Sequence, residues 1–361
     1  MSDCKYVIIG AGNGGQSLAG DMTIRGTRVS AIYDKNPMPV ESIKKAGGIR
    51  MSGPVVQGFA PIDNPCDKLK DAMDSGNVFL AAIVGNFHSQ LAKEMAPHVR
   101  ESDIILLLPG NAGSSLLFQK TLMDCGVTKL PLIGEALSSP YATRLLGEAH
   151  AGIKARKLVL PIAALPASRN GELLAAVNPA IPETVLWSDS LSVGMNNPNP
   201  CAHVPYYLLN MGKVEAPTEA DTDFHAWGTK TTDRIACLYD EERMTVMRAL
   251  GLEAISRREL RKVSYANKPY VPIKQEDAVA ENAVQVPDRF IDEDVPLNMV
   301  LVSEIGHKLG IPTPTTDLLI DLSSLVREKD FRAAATTMEK IGMRSLDKAE
   351  INKLLGKKEL V

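Results

Sequence analysis

The sequence predicts an α/β half built on a parallel sheet, followed by a mostly α-helical half. Three observations carry this. Short apolar runs alternate with helical segments up to about Asp189, a glycine-rich turn follows the first run directly, and the texture changes past Trp187. A length of 361 residues suits about two domains, with 45% apolar and 23% charged residues as in a folded chain. The boundary is expected near 192, giving domains 1–192 and 193–361.

The runs Lys5 to Ile9, Arg28 to Tyr33, Val78 to Ile83, Ile104 to Leu108 and Leu130 to Ile133 are rich in Val, Ile and Leu with little alternation. That is the pattern of strands buried on both faces. Leu18 and Met22 share one face of the first intervening helix, and Leu116, Leu117 and Leu122 mark a later one after the break at Pro109-Gly110. The turn cluster Asn196-Asn197-Pro198-Asn199-Pro200 opens the second half. There Asp233 to Gly251, Met299 to Leu309, Thr316 to Val326 and Phe331 to Ile341 have helical apolar spacing, whereas Ser264 to Pro287 has little periodicity.

Forty Lys+Arg against forty-three Asp+Glu leave a net charge of -3, so no basic field attracts nucleic acid or anionic lipid. The longest apolar stretches, such as Val78 to Val84, fall far short of the roughly 20 residues that span a bilayer. Met1 runs through Lys5 straight into Tyr6-Val7-Ile8-Ile9 without the features of a secretory signal. The five cysteines are scattered and form no CxxC pair, which predicts neither a disulfide framework nor a metal site. The expected partner is therefore a small molecule and the expected compartment the cytoplasm. Apolar stripes in the helical half would allow a homodimer, although such stripes are more often core.

Gly10-Ala11-Gly12-Asn13-Gly14-Gly15 follows the first strand and opens the first helix, matching G-x-G-x-x-G. Gly10 permits the tight turn, Gly12 lets the backbone approach a pyrophosphate, and Gly15 lets helix and strand pack closely. The helix N-terminus then offers N–H donors to the anion. Asp34 stands at the end of the second strand, about 20 residues further on, where a carboxylate accepts from ribose hydroxyls and repels a 2′-phosphate. The turn thus reads as a Rossmann-type dinucleotide site for NAD. NADH is favoured over NADPH, with Lys35 next door tempering that preference. Val84-Gly85-Asn86 and Pro109-Gly110-Asn111 end two other strands, where open α/β sheets bind ligands but where loops are Gly-rich for structural reasons too.

The chemistry must come from the helical half, because one dinucleotide fold serves many reactions. His203 lies there, four residues after Asn199, which reads as a helix N-cap before Pro200. On pattern alone Asn199 is as well explained as a cap and His203 as a satisfied histidine. Arg289 and Asp294 alone look like charges of a polar surface turn.

Several segments together resemble the opine dehydrogenases along nearly the whole chain. They are the glycine turn, Ser139-Pro140-Tyr141-Ala142, Asn199-Pro200-Cys201-Ala202-His203, Asp240-Glu241-Glu242-Arg243, Ala249 to Glu253 and Arg289 to Val295, continuing into Ser303-Glu304-Ile305-Gly306 and Pro312-Thr313-Pro314. Ser264-Tyr265-Ala266 stands where relatives commonly carry Trp-Tyr-Gly or Ser-Tyr-Gly. The resemblance implies a two-domain enzyme that reductively condenses a 2-oxo acid, often pyruvate, with the amine of an amino acid, using NADH or NADPH. It implies a catalytic histidine at His203 held by Asp294, an oxo-acid anchor at Arg289, and a recurring asparagine at Asn199. The chemistry suits these types: imidazole relays protons near neutral pH, a carboxylate fixes its tautomer, and guanidinium forks a carboxylate.

Two other readings stay open. A dehydrogenase of a hydroxy acid or polyol phosphate, of the glycerol-3-phosphate or ketopantoate type, would lean on a lysine such as Lys213, Lys230 or Lys262. A nucleotide-sensing protein would bind NAD(H) without turnover.

Overall fold

The apolar runs become the strands of one large sheet. A computed structural model describes residues 4–218, 221, 223–265 and 286–357. In chain order the strands are β1 Tyr6–Ile9, β2 Val29–Tyr33, β3 Gly48–Ser52, β4 Gly58–Pro61, β5 Pro65–Cys66, β6 Val78–Ala81, β7 Ile104–Leu107, β8 Leu132–Ala136, β9 Tyr141–Gly147, β10 His150–Arg156, β11 Leu160–Leu165 and β12 Thr184–Leu186. The large sheet has the order β12-β11-β8-β7-β6-β1-β2-β5. It is parallel from β5 to β8, and β11 then joins β8 antiparallel. Strands β1, β6, β7 and β8 are buried at every residue, which is why their sequence does not alternate.

Helices α1 Asn13–Ile24, α2 Pro37–Ala46, α3 Leu69–Asp74, α4 His88–Met95, α5 Ser114–Asp124 and α6 Asn170–Val177 accompany these strands. A second sheet, ordered β4-β3-β10-β9, was not expected. Only β3 and β10 pair parallel within it; its other pairs are antiparallel. Its strands mix buried and exposed positions, each includes glycine and three of the four carry charged residues, so they lack the apolar runs of the first sheet. This small sheet covers α1. Leu145 donates its N–H to Asn13 Oδ1 at 2.9 Å, Ser17 bonds Thr143, and Tyr141 donates to the buried Asp21 at 2.6 Å, where Arg156 and Arg25 also converge. Every residue from Gly15 to Met22 is consequently buried, although Leu18 and Met22 alone suggested a single apolar face.

The second half is helical: α7 Ser190–Met195, α8 Asn199–Leu208, α9 Met211–Glu215, α10 Lys230–Ala249, α11 Arg257–Tyr265, α12 Arg289–Asp292, α13 Val300–Leu309, α14 Pro314–Arg327, α15 Phe331–Ala334 and α16 Lys348–Leu354. Three expectations are corrected. Asn199 is not the cap of α8 but its first residue, and Asn197 Oδ1 accepts the Asn199 N–H at 3.0 Å. The segment Phe331 to Ile341 is helical only to Ala334; Ala335 turns extended and Met338 N–H is taken by Glu304. Its apolar spacing serves burial of Met338 and Ile341 in a turn. The helix expected from Met299 is preceded by a π turn at Val295–Met299, directly after Asp294. The aperiodic stretch Ser264 to Pro287 lies mostly outside the described residues, and so does Ala266.

Candidate active site

The glycine turn has the geometry its sequence demands. Gly10 has φ +100°, and a Cβ there would sit 2.6 Å from Ala82 O. A Cβ on Gly15 would fall on the Gly10 carbonyl oxygen. Gly12 differs, because its Cβ would meet nothing within 4 Å. The open side of the turn is thus at Gly12, and α1 begins there without a side-chain cap. Uncapped N–H groups beside open space fit the pyrophosphate of a dinucleotide. Asp34 is half-buried behind the turn; its Oδ2 accepts the Ala11 N–H at 2.7 Å and its Oδ1 the Asn36 N–H at 2.8 Å. Lys35 is tied to Glu94 at 2.6 Å.

The loops after β6, β7 and β8 gather at the carboxyl edge of the sheet. Gly85 is buried, and its N–H goes to Glu293 Oε1 at 2.8 Å, so this loop meets the helical half; Val84 beside it is half-buried. Asn111 Oδ1 accepts from Asn298 at 3.0 Å and from Asn197 at 3.2 Å, while its Nδ2 has no partner. Glu135, near the end of β8, accepts the Ser115 N–H and keeps Oε2 unpartnered, packed against Gly110 and Gly194. Burial pushes the Glu135 carboxyl up to about 8.

His203 and Asp294, 91 residues apart, meet with Nδ1 2.6 Å from Oδ2. Both are buried, and Phe290 stacks on the imidazole at 3.7 Å between centroids. Burial pushes the His203 imidazole down to about 3, with Arg289 lowering it further and Glu293 opposing. Burial holds the Asp294 carboxyl well above the carboxylate range, and Arg289 pulls it back. Both shifts, set chiefly by burial, disfavour a lone charge on either group. Arg289 lies over the Phe290 ring at 5.3 Å, 3.6 Å from Glu293, and leaves 51% of its side chain to solvent. Asn199 is half-buried one turn before His203 on α8.

The structure thus brings His203, Asp294 and Arg289 together, and sets Gly10 to Gly15 beside Asp34. The three lysines of the alternative reading are exposed, with Lys213 paired to Asp221 at 3.0 Å. Sequence reasoning missed Glu135 and Glu293. A charged residue inside the apolar run Leu132-Ile133-Gly134-Glu135-Ala136 was the available signal for the first.

A glycine turn of dinucleotide type on a largely parallel sheet, together with a loop after β6 bonded beside a buried histidine–carboxylate pair, fits an NAD(P)-dependent oxidoreductase. Residues 187–327 match the family of NAD/NADP octopine/nopaline dehydrogenases, alpha-helical domain. The chain is 29% identical to an opine dehydrogenase of Arthrobacter sp. (strain 1C), covering 96% of this chain and 97% of that one. It is 27% identical to the Agrobacterium tumefaciens (strain Ach5) protein ocs, over 90% and 92% of the two chains. An octopine dehydrogenase structure with NADH and L-arginine shares the fold, with TM-score 0.75, 18% identity and coverage of 99% and 100%. Residues 187–327 thus match the helical domain of that family, and the chain along nearly its whole length is similar to an opine dehydrogenase, which indicates an NAD(P)-dependent oxidoreductase. No helix among the described residues is long and apolar enough to cross a membrane.

Proposed function

We propose that the enzyme condenses a 2-oxo acid, with pyruvate as the first candidate, and the amine of an amino acid into an N-(carboxyalkyl) amino acid, with NADH preferred. The observation that carries this is the 2.6 Å contact of His203 with Asp294 beside a half-exposed Arg289. Reduced nicotinamide, when bound, supplies the hydride that reduces the imine. Gly10 to Gly15 would hold its pyrophosphate and Asp34 its ribose, with Val84 and Gly85 bordering the site. The tie of Lys35 to Glu94 leaves no cation committed to a 2′-phosphate at that position.

Arg289 binds the oxo acid carboxylate through its planar fork and draws charge toward the carbonyl oxygen. The amine adds to the carbonyl carbon. The His203 ring takes each of the two protons the nitrogen gives up and passes it to the oxygen, so that water leaves and the imine forms. Asp294 holds Nδ1 and stabilises the imidazolium, which leaves proton traffic to Nε2. Asn199 lines the same helix face. The work divides between a cofactor half, 1–192, and a substrate half, 193–361. Five free cysteines among the described residues suit a cytoplasmic enzyme.

The test is loss of nicotinamide absorbance with NADH or NADPH and with pyruvate alone, amino acids alone, or both. Oxidation that needs both supports the reading. Oxidation with the oxo acid alone would replace it with simple dehydrogenase chemistry.

A further inference from the structure

One carboxylate spans the two halves at the site. The two residues that lead into the loop Val84 to Phe87 pack against the dinucleotide turn: Ala82 donates its N–H to Ile9 O at 2.8 Å, and Ala82 and Ile83 fill the space a Gly10 side chain would need. From the other side Glu293 Oε1 accepts the Gly85 N–H at 2.8 Å, buried from solvent. Asn86 Nδ2 adds a second tie, to Asp292 O at 3.1 Å, and Asp292 is itself fixed by Arg327 and Lys329. A side chain on Gly85 would collide with Asn111 and Leu297 and crowd Glu293, so the loop packs its backbone directly against the residues that follow α12.

Glu293 is an expensive residue to place there. It is 4% exposed and adjacent to the buried Asp294, and both burial and that neighbour raise its carboxyl, against the Gly85 N–H and Arg289. An apolar side chain would fill the space without that cost. What it would lose is the bond to the loop. The stretch Arg289 to Asp294 also carries Phe290, stacked on His203, and Asp294 itself, next to Glu293, so a displacement of the loop is passed to the pair.

We propose that Glu293 is a positioning residue that couples the cofactor-side loop Val84 to Phe87 to the His203–Asp294 pair. The kinetic part rests on the function proposed above; the binding part does not. Glu293→Ala is expected to raise the Kd for NADH in the absence of substrates about tenfold, the scale of one buried bond to a charged group. At saturating NADH its kcat falls by a similar factor, and the oxo acid KM shifts as well, because Arg289 loses the carboxylate 3.6 Å away. Glu293→Gln keeps an oxygen acceptor and is expected to restore the NADH Kd to within about twofold of the unchanged enzyme. Asn86→Ala, at the exposed second tie, raises Kd less, by about threefold, and decides the matter if Glu293→Ala does not fold. The coupling is overturned if Glu293→Ala and Asn86→Ala both leave Kd unchanged, or if Glu293→Gln is as impaired as Glu293→Ala. Because titration with NADH alone needs no amine or oxo acid, a failed condensation assay would leave this reading separately decided.

Discussion

The glycine turn and the histidine pair reach similar precision by opposite means. At the turn the backbone is the site: Gly10 and Gly15 are held because any side chain would strike Ala82 or Gly10, and the ligand-facing groups are main-chain N–H donors. At the pair the site is made of side chains, brought from α8 and from the residues between α12 and the π turn into a 2.6 Å contact that neither segment specifies alone. A backbone site tolerates no added atoms where the chain is tight. A side-chain site tolerates no lost ones.

The largest expected effect tests the second half of that contrast. His203→Ala should lower kcat by about 10²–10⁴, the usual worth of a positioned proton donor, while the NADH Kd stays within about twofold. Unchanged turnover would remove His203 from the chemistry. Two neighbouring glycines test the first half. Gly15→Ala drives a methyl into the Gly10 carbonyl and should cost several kcal/mol, about 3 or more, read as a large fall in Tm with loss of NADH binding. Gly12→Ala meets open space, so Tm should stay within a few degrees while NADH affinity alone falls. Equal effects at the two positions would break the distinction between packing glycine and ligand glycine.

Arg289→Lys sharpens the contrast at the pair: it keeps charge but loses the fork, and should raise the oxo acid KM about tenfold with NADH binding intact. The smallest effect lies away from both sites. Lys157 is buried against Ser138, with the Tyr265 ring 5.7 Å from its Nζ, and burial pushes its ammonium down to about 7. An unfolded lysine titrates near 10.4, so the unfolded chain holds more protons between about pH 7 and 10, and stability rises with pH over that window. Lys157→Met should therefore gain a few degrees of Tm at pH 6.5 and lose that advantage by pH 10.

Legibility in the sequence followed the range of the constraint. The turn, its strand and Asp34 could be read because glycine geometry is local and because strands buried on both faces lose alternation. His203 and Asp294 were readable only through resemblance; the pattern around them is equally that of a capped helix and a polar turn. The small sheet escaped because β3 and β10 pair across about a hundred residues and carry no continuous apolar run. Asn199 was displaced from the cap position because Asn197, two residues earlier, supplies the acceptor. Glu293 looked like one more charge in an acidic run, and its burial follows from a contact with Gly85, 208 residues away.

The enclosure of α1 between the two sheets has a consequence for how the enzyme meets its cofactor. With Gly15 to Met22 all buried and Asp21 clamped by Tyr141, Arg25 and Arg156, this helix cannot open without separating the sheets. Its amide protons should be among the last in the molecule to exchange with deuterated solvent, with or without NADH. The end of that helix proposed to meet the pyrophosphate then stands preassembled, and ligand-dependent protection should appear instead in the loops after β6 and β7.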